Sequence, residues 1–425
     1  RALGDIHFSF LSQLAYNSEI LSKFAKNNST IMKKTILTVF LLAFIAICGS
    51  AKKHYTVVIS LDGYRWDYTQ WYNTPFMDMM AEKGVESGLI PSYPSKTFPN
   101  HYTLATGLYP DHHGIVANNF YDVKTGESFS LGNAKQKTNP IYYGGDPIWN
   151  TAKRQGLKTA VFYWPGSDVC VDGNYPDTYY IYDKQPRLTM QQRLDGIIEQ
   201  LSLPEKKRPD LIMGYLEEPD GNGHNFGPQG KQTRDMVQKV DSMLTNFYNR
   251  MQTLPIANDI NLIILSDHGM AWVAKGNNVP IRHLLKDEWL VKIEGNIPAN
   301  IYVKPGCQDS VYNALQGIEH ARVWKRNTIP TRLHYGTNSR VGDVVVNPDL
   351  GWLIQDKEAN EGGAHGFDPE YSDVHALFRA VGPDFKHIKH PHFANVNVYP
   401  LICYLLGIKE SANDGDISNI STILQ

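Results

Sequence analysis

The sequence of 425 residues carries 41 Lys and Arg against 43 Asp and Glu, a formal net charge of −2, with 42% hydrophobic residues and 24 Tyr. That apolar content excludes disorder, collagen and coiled coil, and the near-neutral balance excludes nucleic-acid binding by bulk electrostatics, which needs a strong basic patch. Four Cys cannot staple a chain of this length, so the 15 His are the more informative count, imidazole being the commonest metal ligand.

Taken in chain order, residues 1–31 lie upstream of a start-like Met32 and show no clear period; they are expected to be untranslated or disordered. Residues 32–51 read as a signal peptide: Met32-Lys33-Lys34-Thr35, an apolar run from Ile36 to Cys48, then Gly49-Ser50-Ala51. The run of 13 residues is short of the roughly 20 that a membrane span needs, so cleavage after Ala51 and export to a periplasmic or extracellular location are expected. An uncleaved signal would leave a membrane tether. Ile47 before Cys48 disfavours a lipoprotein anchor. Without residues 1–51, which hold five basic and two acidic residues, the net charge is −5 and three Cys remain.

Residues 52–425 read as one domain. Buried strands are predicted at Tyr55–Leu61, Thr159–Tyr163, Asp210–Leu216 and Asn261–Leu265, from apolar and β-branched runs. Between them, helices are predicted at Thr74–Lys83, Ile148–Gln155, Met190–Leu203 and Lys231–Leu254, the last with Val237, Val240, Leu244, Phe247 and Met251 at helical spacing. Apolar strands alternating with helices predict an α/β fold, a mostly parallel sheet covered on both faces. Residues 271–344 are richer in turns and read as an insertion or small antiparallel subdomain.

Polar clusters follow the strands, where open α/β sheets bind ligands. They are Asp62-Gly63, the Gly-rich loop from Asp220 to His224, Ser266-Asp267-His268-Gly269 and Gly362-Gly363-Ala364-His365-Gly366; Thr97 lies in a fifth cluster after a turn-rich segment. On a regular strand Asp267 and His268 face opposite sides, so both reach one site only if the backbone turns, which Gly269 permits. Three Asp and three His make two sets of oxygen and nitrogen ligands without thiolate. Such sets suit zinc, with manganese and iron as competitors. A pair of metals is the usual clamp for displacement at phosphorus, and Thr97 is the candidate nucleophile, needing a lowered pKa.

These residues, with Ile59-Ser60-Leu61-Asp62-Gly63, Pro94-Ser95-Lys96-Thr97-Phe98-Pro99-Asn100-His101-Tyr102, Thr106-Gly107-Leu108-Tyr109-Pro110, Trp164-Pro165-Gly166-Ser167-Asp168 and Glu217-Glu218-Pro219-Asp220, carry a resemblance. From about His54 to Ile408 the chain resembles the nucleotide pyrophosphatase/phosphodiesterase (type I phosphodiesterase) family of the alkaline phosphatase superfamily, whose fold is a three-layer sandwich. The resemblance implies two Zn2+ ions, one held by Asp62, Asp267 and His268 and reached by Thr97, the other by Asp220, His224 and His365. It implies a phospho-threonine intermediate, with Asn118 donating its amide to a non-bridging oxygen beside the Thr97 backbone N–H, and net retention at phosphorus. Phe98, Tyr182 and Tyr215 match positions flanking the nucleobase, and Asp168 a position on the nucleotide side. The implied reaction is hydrolysis of nucleotide phosphodiester or pyrophosphate bonds, releasing nucleoside 5′-monophosphate; the alternative is a same-family phosphodiesterase for choline-headed lysophospholipids or glycerophosphodiesters. Asn119 stands where some animal members have Lys, which removes one phosphate contact. The chain looks like a stand-alone catalytic domain.

Overall fold

The computed structural model describes residues 53–425; the expected leader and signal peptide lie outside them. In chain order the strands that position the site are β1 (Tyr55–Leu61), β2 (Val85–Ile90), β3 (Thr159–Phe162), β4 (Thr178–Tyr179), β5 (Leu211–Leu216), β6 (Ile260–Leu265), β7 (Ala271–Val273), β8 (Gly362–Ala364), β9 (Ala376–Val381), β10 (Ile388–Lys389) and β11 (Phe393–Ala394). The main helices are α1 (Pro75–Lys83), α2 (Thr97–Thr106), α3 (Ile148–Arg154), α4 (Met190–Leu201), α5 (Asp220–Phe226), α6 (Lys231–Gln252) and α7 (Val398–Leu406).

The central sheet runs β10-β2-β9-β6-β1-β5-β3-β4, with β11 also on β2. From β6 to β4 every neighbour is parallel. β9 is antiparallel to both β6 and β2. This mixed, mostly parallel sheet is covered on both faces. Val57, Ile59 and Leu61 of β1 pack with Met77 of α1, Leu194 of α4 and Val240 of α6. Val58, pointing the other way by strand alternation, joins Leu104 of α2, Trp149 of α3 and Leu401 of α7. The three-layer α/β architecture expected from the sequence is therefore present.

The four predicted strands and four predicted helices form within one to two residues of their expected bounds. Two central strands escaped the pattern. β2 reads Val-Glu-Ser-Gly-Leu-Ile and β9 Ala-Leu-Phe-Arg-Ala-Val, each interrupted by a charge. The Gly-rich loop expected from Asp220 to His224 is corrected to a helix, α5, and Thr97, in the cluster after the turn-rich segment, opens α2. Neither pattern looks helical, since Asp-Gly-Asn-Gly-His has two glycines. Tertiary contact decides instead, because α5 lies against β8, where Gly363 has no side chain to hold it off.

β7 and β8 pair antiparallel, so the chain between them leaves and returns through one narrow base. Within that excursion, Leu290–Glu294, Ala299–Val303, Val344–Pro348 and Ala321–Lys325 form a four-stranded antiparallel sheet with its own apolar cluster, including Ile301, Val311 and Val344. No helix among the described residues is long and apolar enough to cross a membrane. Cys170, Cys307 and Cys403 are free thiols.

Candidate active site

β6, β1 and β5 are adjacent and parallel, so their carboxyl ends open at one point. Asp62 follows β1, Asp267 and His268 follow β6, and Asp220 begins α5 just after β5. His365 follows β8 and comes in from the side. Asp62, Asp267, His268 and His365 are all buried.

Each candidate imidazole is anchored through Nδ1 to a backbone carbonyl: His224 to Gly363 O, His268 to Gly269 O and His365 to Ser95 O, each at 2.8 Å. A carbonyl only accepts, so Nδ1 carries the proton and Nε2 presents its lone pair inward. His365 Nε2 stands 3.1 Å from His224 Nε2 and 3.6 Å from Asp220 Oδ1, which is 3.4 Å from His224 Nε2. On the other side, His268 Nε2 is 3.0 Å from Asp267 Oδ2 and 3.4 Å from Asp62 Oδ1. His268 also stacks on His365 with ring centroids 3.5 Å apart. It thus lies within ligand distance of Asp220 and His365 as well.

A cation set fits these residues. Asp62 Oδ1, Asp220 Oδ1 and Asp267 Oδ2 are buried without a hydrogen-bond donor, a costly state that a metal ion relieves. Two lone-pair nitrogens facing each other at 3.1 Å also call for a cation. The electrostatics agree. Burial, then the Asp267 and Asp220 carboxylates, raise the Asp62 pKa well above the usual range. Burial also acts to raise Asp267, but the His268 and His101 imidazoles together outweigh it and hold the carboxylate well below that range. Burial works to lower His268, and Asp267 reverses this and raises it. His365 is driven well below by burial and by His268.

Thr97 Oγ1 lies 3.1 Å from His268 Nε2. As the first residue of α2, it keeps a backbone N–H without an intrahelical partner, while the Phe98 N–H is taken by Asn118, Pro99 has none and Asn100 N–H bonds Lys96 O. The Phe98 N–H donates to Asn118 Oδ1 at 3.0 Å. That bond fixes the amide so that its NH2 is the free end, the donor required beside a phosphoryl oxygen.

Phe98, Asp168, Tyr182 and Tyr215 line one cavity next to Thr97. The Tyr182 N–H donates to Asp168 Oδ2 at 3.1 Å, and burial raises the Asp168 pKa. Lys137 Nζ and the Arg187 guanidinium lie 5.1 and 4.5 Å from the Tyr182 ring. Tyr215 both lines this cavity and donates its hydroxyl to Asp62 Oδ2 at 2.6 Å.

Four participants carried no role in the sequence reading. Lys96, next to Thr97, has its ammonium lowered to about 8 by burial, with Asp220 opposing; its position in the quoted motif was the available signal. His101 takes Asp267 Oδ2 at 3.3 Å and Ser60 Oγ at 2.8 Å, four residues along the helix from Thr97. Ser266 Oγ donates to His268 O at 2.9 Å, and Lys137 lines the aromatic cavity. Gly269 needs to be glycine for a reason other than a turn. A Cβ there would lie 2.4 Å from Asp373 O and 2.6 Å from His375 O, so the strand end is pressed against neighbouring backbone.

Residues 56–368 match the model of the type I phosphodiesterase/nucleotide pyrophosphatase family. The chain is 35% identical over 386 residues to bovine ectonucleotide pyrophosphatase/phosphodiesterase family member 3, and 34% identical over 387 residues to a venom phosphodiesterase of Naja atra. The alignments cover 87% of this chain but 44% and 46% of those proteins, so it spans about half the length of the curated relatives it matches. Among solved structures, murine ectonucleotide pyrophosphatase/phosphodiesterase 5 superposes with a TM-score of 0.82 at 32% identity, covering 87% of this chain and 100% of that one. An inactive variant of the murine protein, in complex with AMP, matches equally well. The chain belongs to the type I phosphodiesterase/nucleotide pyrophosphatase family.

Proposed function

We propose that this chain is a two-zinc phosphodiesterase that cleaves nucleotide phosphodiester or pyrophosphate bonds and releases nucleoside 5′-monophosphate. One observation carries the reading: three inward Nε2 atoms and three donor-less carboxylate oxygens converge beside Thr97, at the mouth of an aromatic cavity. Asp62, Asp267 and His268 would hold one ion, and Asp220, His224 and His365 the other. Bound there, the ions supply positive charge that lowers the pKa of the Thr97 hydroxyl and of a hydrolytic water and balances the phosphoryl group.

The chain's own residues do the rest. Phe98 and Tyr182 stack on the base, which is tolerant of base identity. The Asn118 NH2 and the Thr97 backbone N–H receive charge on the non-bridging oxygens. Thr97 Oγ1 attacks phosphorus in line, the leaving group departs opposite, and a phospho-threonine forms. Water then attacks that phosphorus in line and frees Thr97, so two inversions give net retention. The AMP complex of the murine relative supports the nucleotide choice. The enzyme is expected to act outside the cytoplasm, as the ectonucleotidase and venom relatives' names indicate for them.

The test compares zinc-loaded wild type on the p-nitrophenyl ester of a nucleoside monophosphate and on p-nitrophenyl phosphorylcholine. Preference for the second would turn the assignment to the choline-headed substrates.

A further inference from the structure

A second cavity sets two cations and one carboxylate on its wall. Its volume is about 350 Å3, and its walls include Trp66, Glu86, Arg379, Lys389 and His392, beside the edge of the central sheet where β2 meets β9 and β10. Arg379 projects from β9 and is 4% exposed. Its Nη1 donates to the Ser87 and Phe378 carbonyls at 3.0 Å. The other nitrogens are poorly served: Nη2 has a 3.4 Å contact to Thr69 Oγ1, and Nε is buried with no acceptor.

Glu86 is the one carboxylate among the lining residues, and it is shared. Its Oε1 lies 3.0 Å from Lys389 Nζ and 3.8 Å from Arg379 Nη2. Asp78 also acts on Arg379 but lies outside the cavity lining and makes no hydrogen bond with it. The cavity wall itself thus sets one carboxylate against two cations, and the buried guanidinium lacks full hydrogen-bonded compensation, which is costly. Burial lowers the Arg379 pKa in spite of Glu86.

The histidines of this wall define a hydrogen-bond polarity. His375 Nε2 is 2.9 Å from Pro369 O, so that nitrogen carries the proton and His375 Nδ1 accepts. His392 Nδ1, 2.9 Å away, therefore donates to it. Both rings are neutral at neutral pH: burial lowers His375, and burial, His375, Arg379 and Lys389 push His392 down to about 4. His392 Nε2 is then an acceptor with no hydrogen bond to the described residues. The ring lies over Gly88, where a Cβ would come within 2.7 Å of Nε2.

We propose that this cavity binds a singly protonated phosphate group, esterified or free. Its anionic oxygens meet Arg379 and Lys389, its P–OH donates to His392 Nε2, and an ester's carbon portion lies against the Trp66 indole. Sulfate offers the charge without the proton and a carboxylate only one pair of oxygens, so neither satisfies all three partners. The assignment does not depend on the catalytic reading.

The test follows ring resonances of His392 in the zinc-loaded protein, assigned by their loss in His392→Asn, at about pH 6, where a phosphomonoester is half ionised to its second step. Titration with glycerol 2-phosphate or inorganic phosphate should move them saturably. Sulfate, and the charge reversal Lys389→Glu, should each weaken the response at least about 10-fold, as loss of charge-assisted bonds does. Lys389 is 76% exposed, so the reversal leaves the fold intact, and turnover at Thr97 should be unchanged. Tighter glycerol 2-phosphate binding assigns the ester, and the reverse order assigns the free ion. Unmoved His392 resonances, an unaltered response in Lys389→Glu, or sulfate matching phosphate would overturn the proposal.

Discussion

The Tyr215 hydroxyl donates to Asp62 Oδ2 at 2.6 Å, so one aromatic residue lines the aromatic cavity and also steers a carboxylate of the proposed metal site. Tyr215→Phe keeps the ring and deletes the donor. Loss of such an outer partner weakens metal affinity by about 10–100-fold. Chelator competition should show that loss, while KM for the nucleotide ester measured at saturating zinc stays near wild type.

Thr97→Ala removes the proposed nucleophile while leaving both proposed ligand sets in place. Turnover should fall by at least about 1,000-fold, the residual rate coming from binding and charge stabilisation alone. Zinc content by mass spectrometry should stay at the wild-type level. Rapid acid quench of wild type should trap phosphate on Thr97, and its absence during steady turnover would count against the covalent route.

Asn118→Ala deletes the amide that Phe98 N–H orients. An oxyanion donor of this kind is worth about 100–1,000-fold in kcat. Asn118→Asp should be worse, because it places a carboxylate against phosphoryl oxygens. Tyr182→Ala should instead raise KM, by the roughly 1–3 kcal/mol of one base stack.

Asp241 accepts the Phe76 and Met77 N–H groups at the start of α1 from within the core, and burial raises its pKa to about 6. The folded state therefore binds a proton that the unfolded state has already released. Between about pH 4 and 6 this group makes stability fall as pH rises. Asp241→Asn should flatten that part of the melting-temperature profile, and an unchanged slope would assign it elsewhere.

Without the proposed metal ions, Asp62, Asp220 and Asp267 each keep one buried oxygen without a hydrogen-bond donor, and Asp220 and Asp267 repel charge on Asp62. Binding at a free zinc level 1,000-fold above Kd adds about 4 kcal/mol to stability. Calorimetry should thus show a drop in melting temperature with chelator, reversed by zinc.

The strand–helix alternation and the residues that converge at the candidate site were legible because each of those residues follows an apolar strand or sits beside glycine. β2 and β9 were not, since Glu86 and Arg379 break their apolar runs, and only pairing with strands distant in sequence makes them part of the sheet. The helicity of α5 was hidden for a related reason. Its glycines argue against a helix locally, and only the approach of β8, distant in sequence, makes them an advantage. The double duty of Tyr215 could not be read either, because it depends on the register of β5 against β1, Tyr215 opposite Ser60.

That approach of β8 to α5 also sets a manufacturing tolerance. A methyl group added at Gly362 would stand 2.3 Å from His224 O, and one at Gly363 2.4 Å from Gly223 O. Bare backbone acts as a spacer of fixed thickness between the two segments that carry His224 and His365. Any side chain at these positions is a wedge, prying His224 from His365 through the backbone without meeting either imidazole.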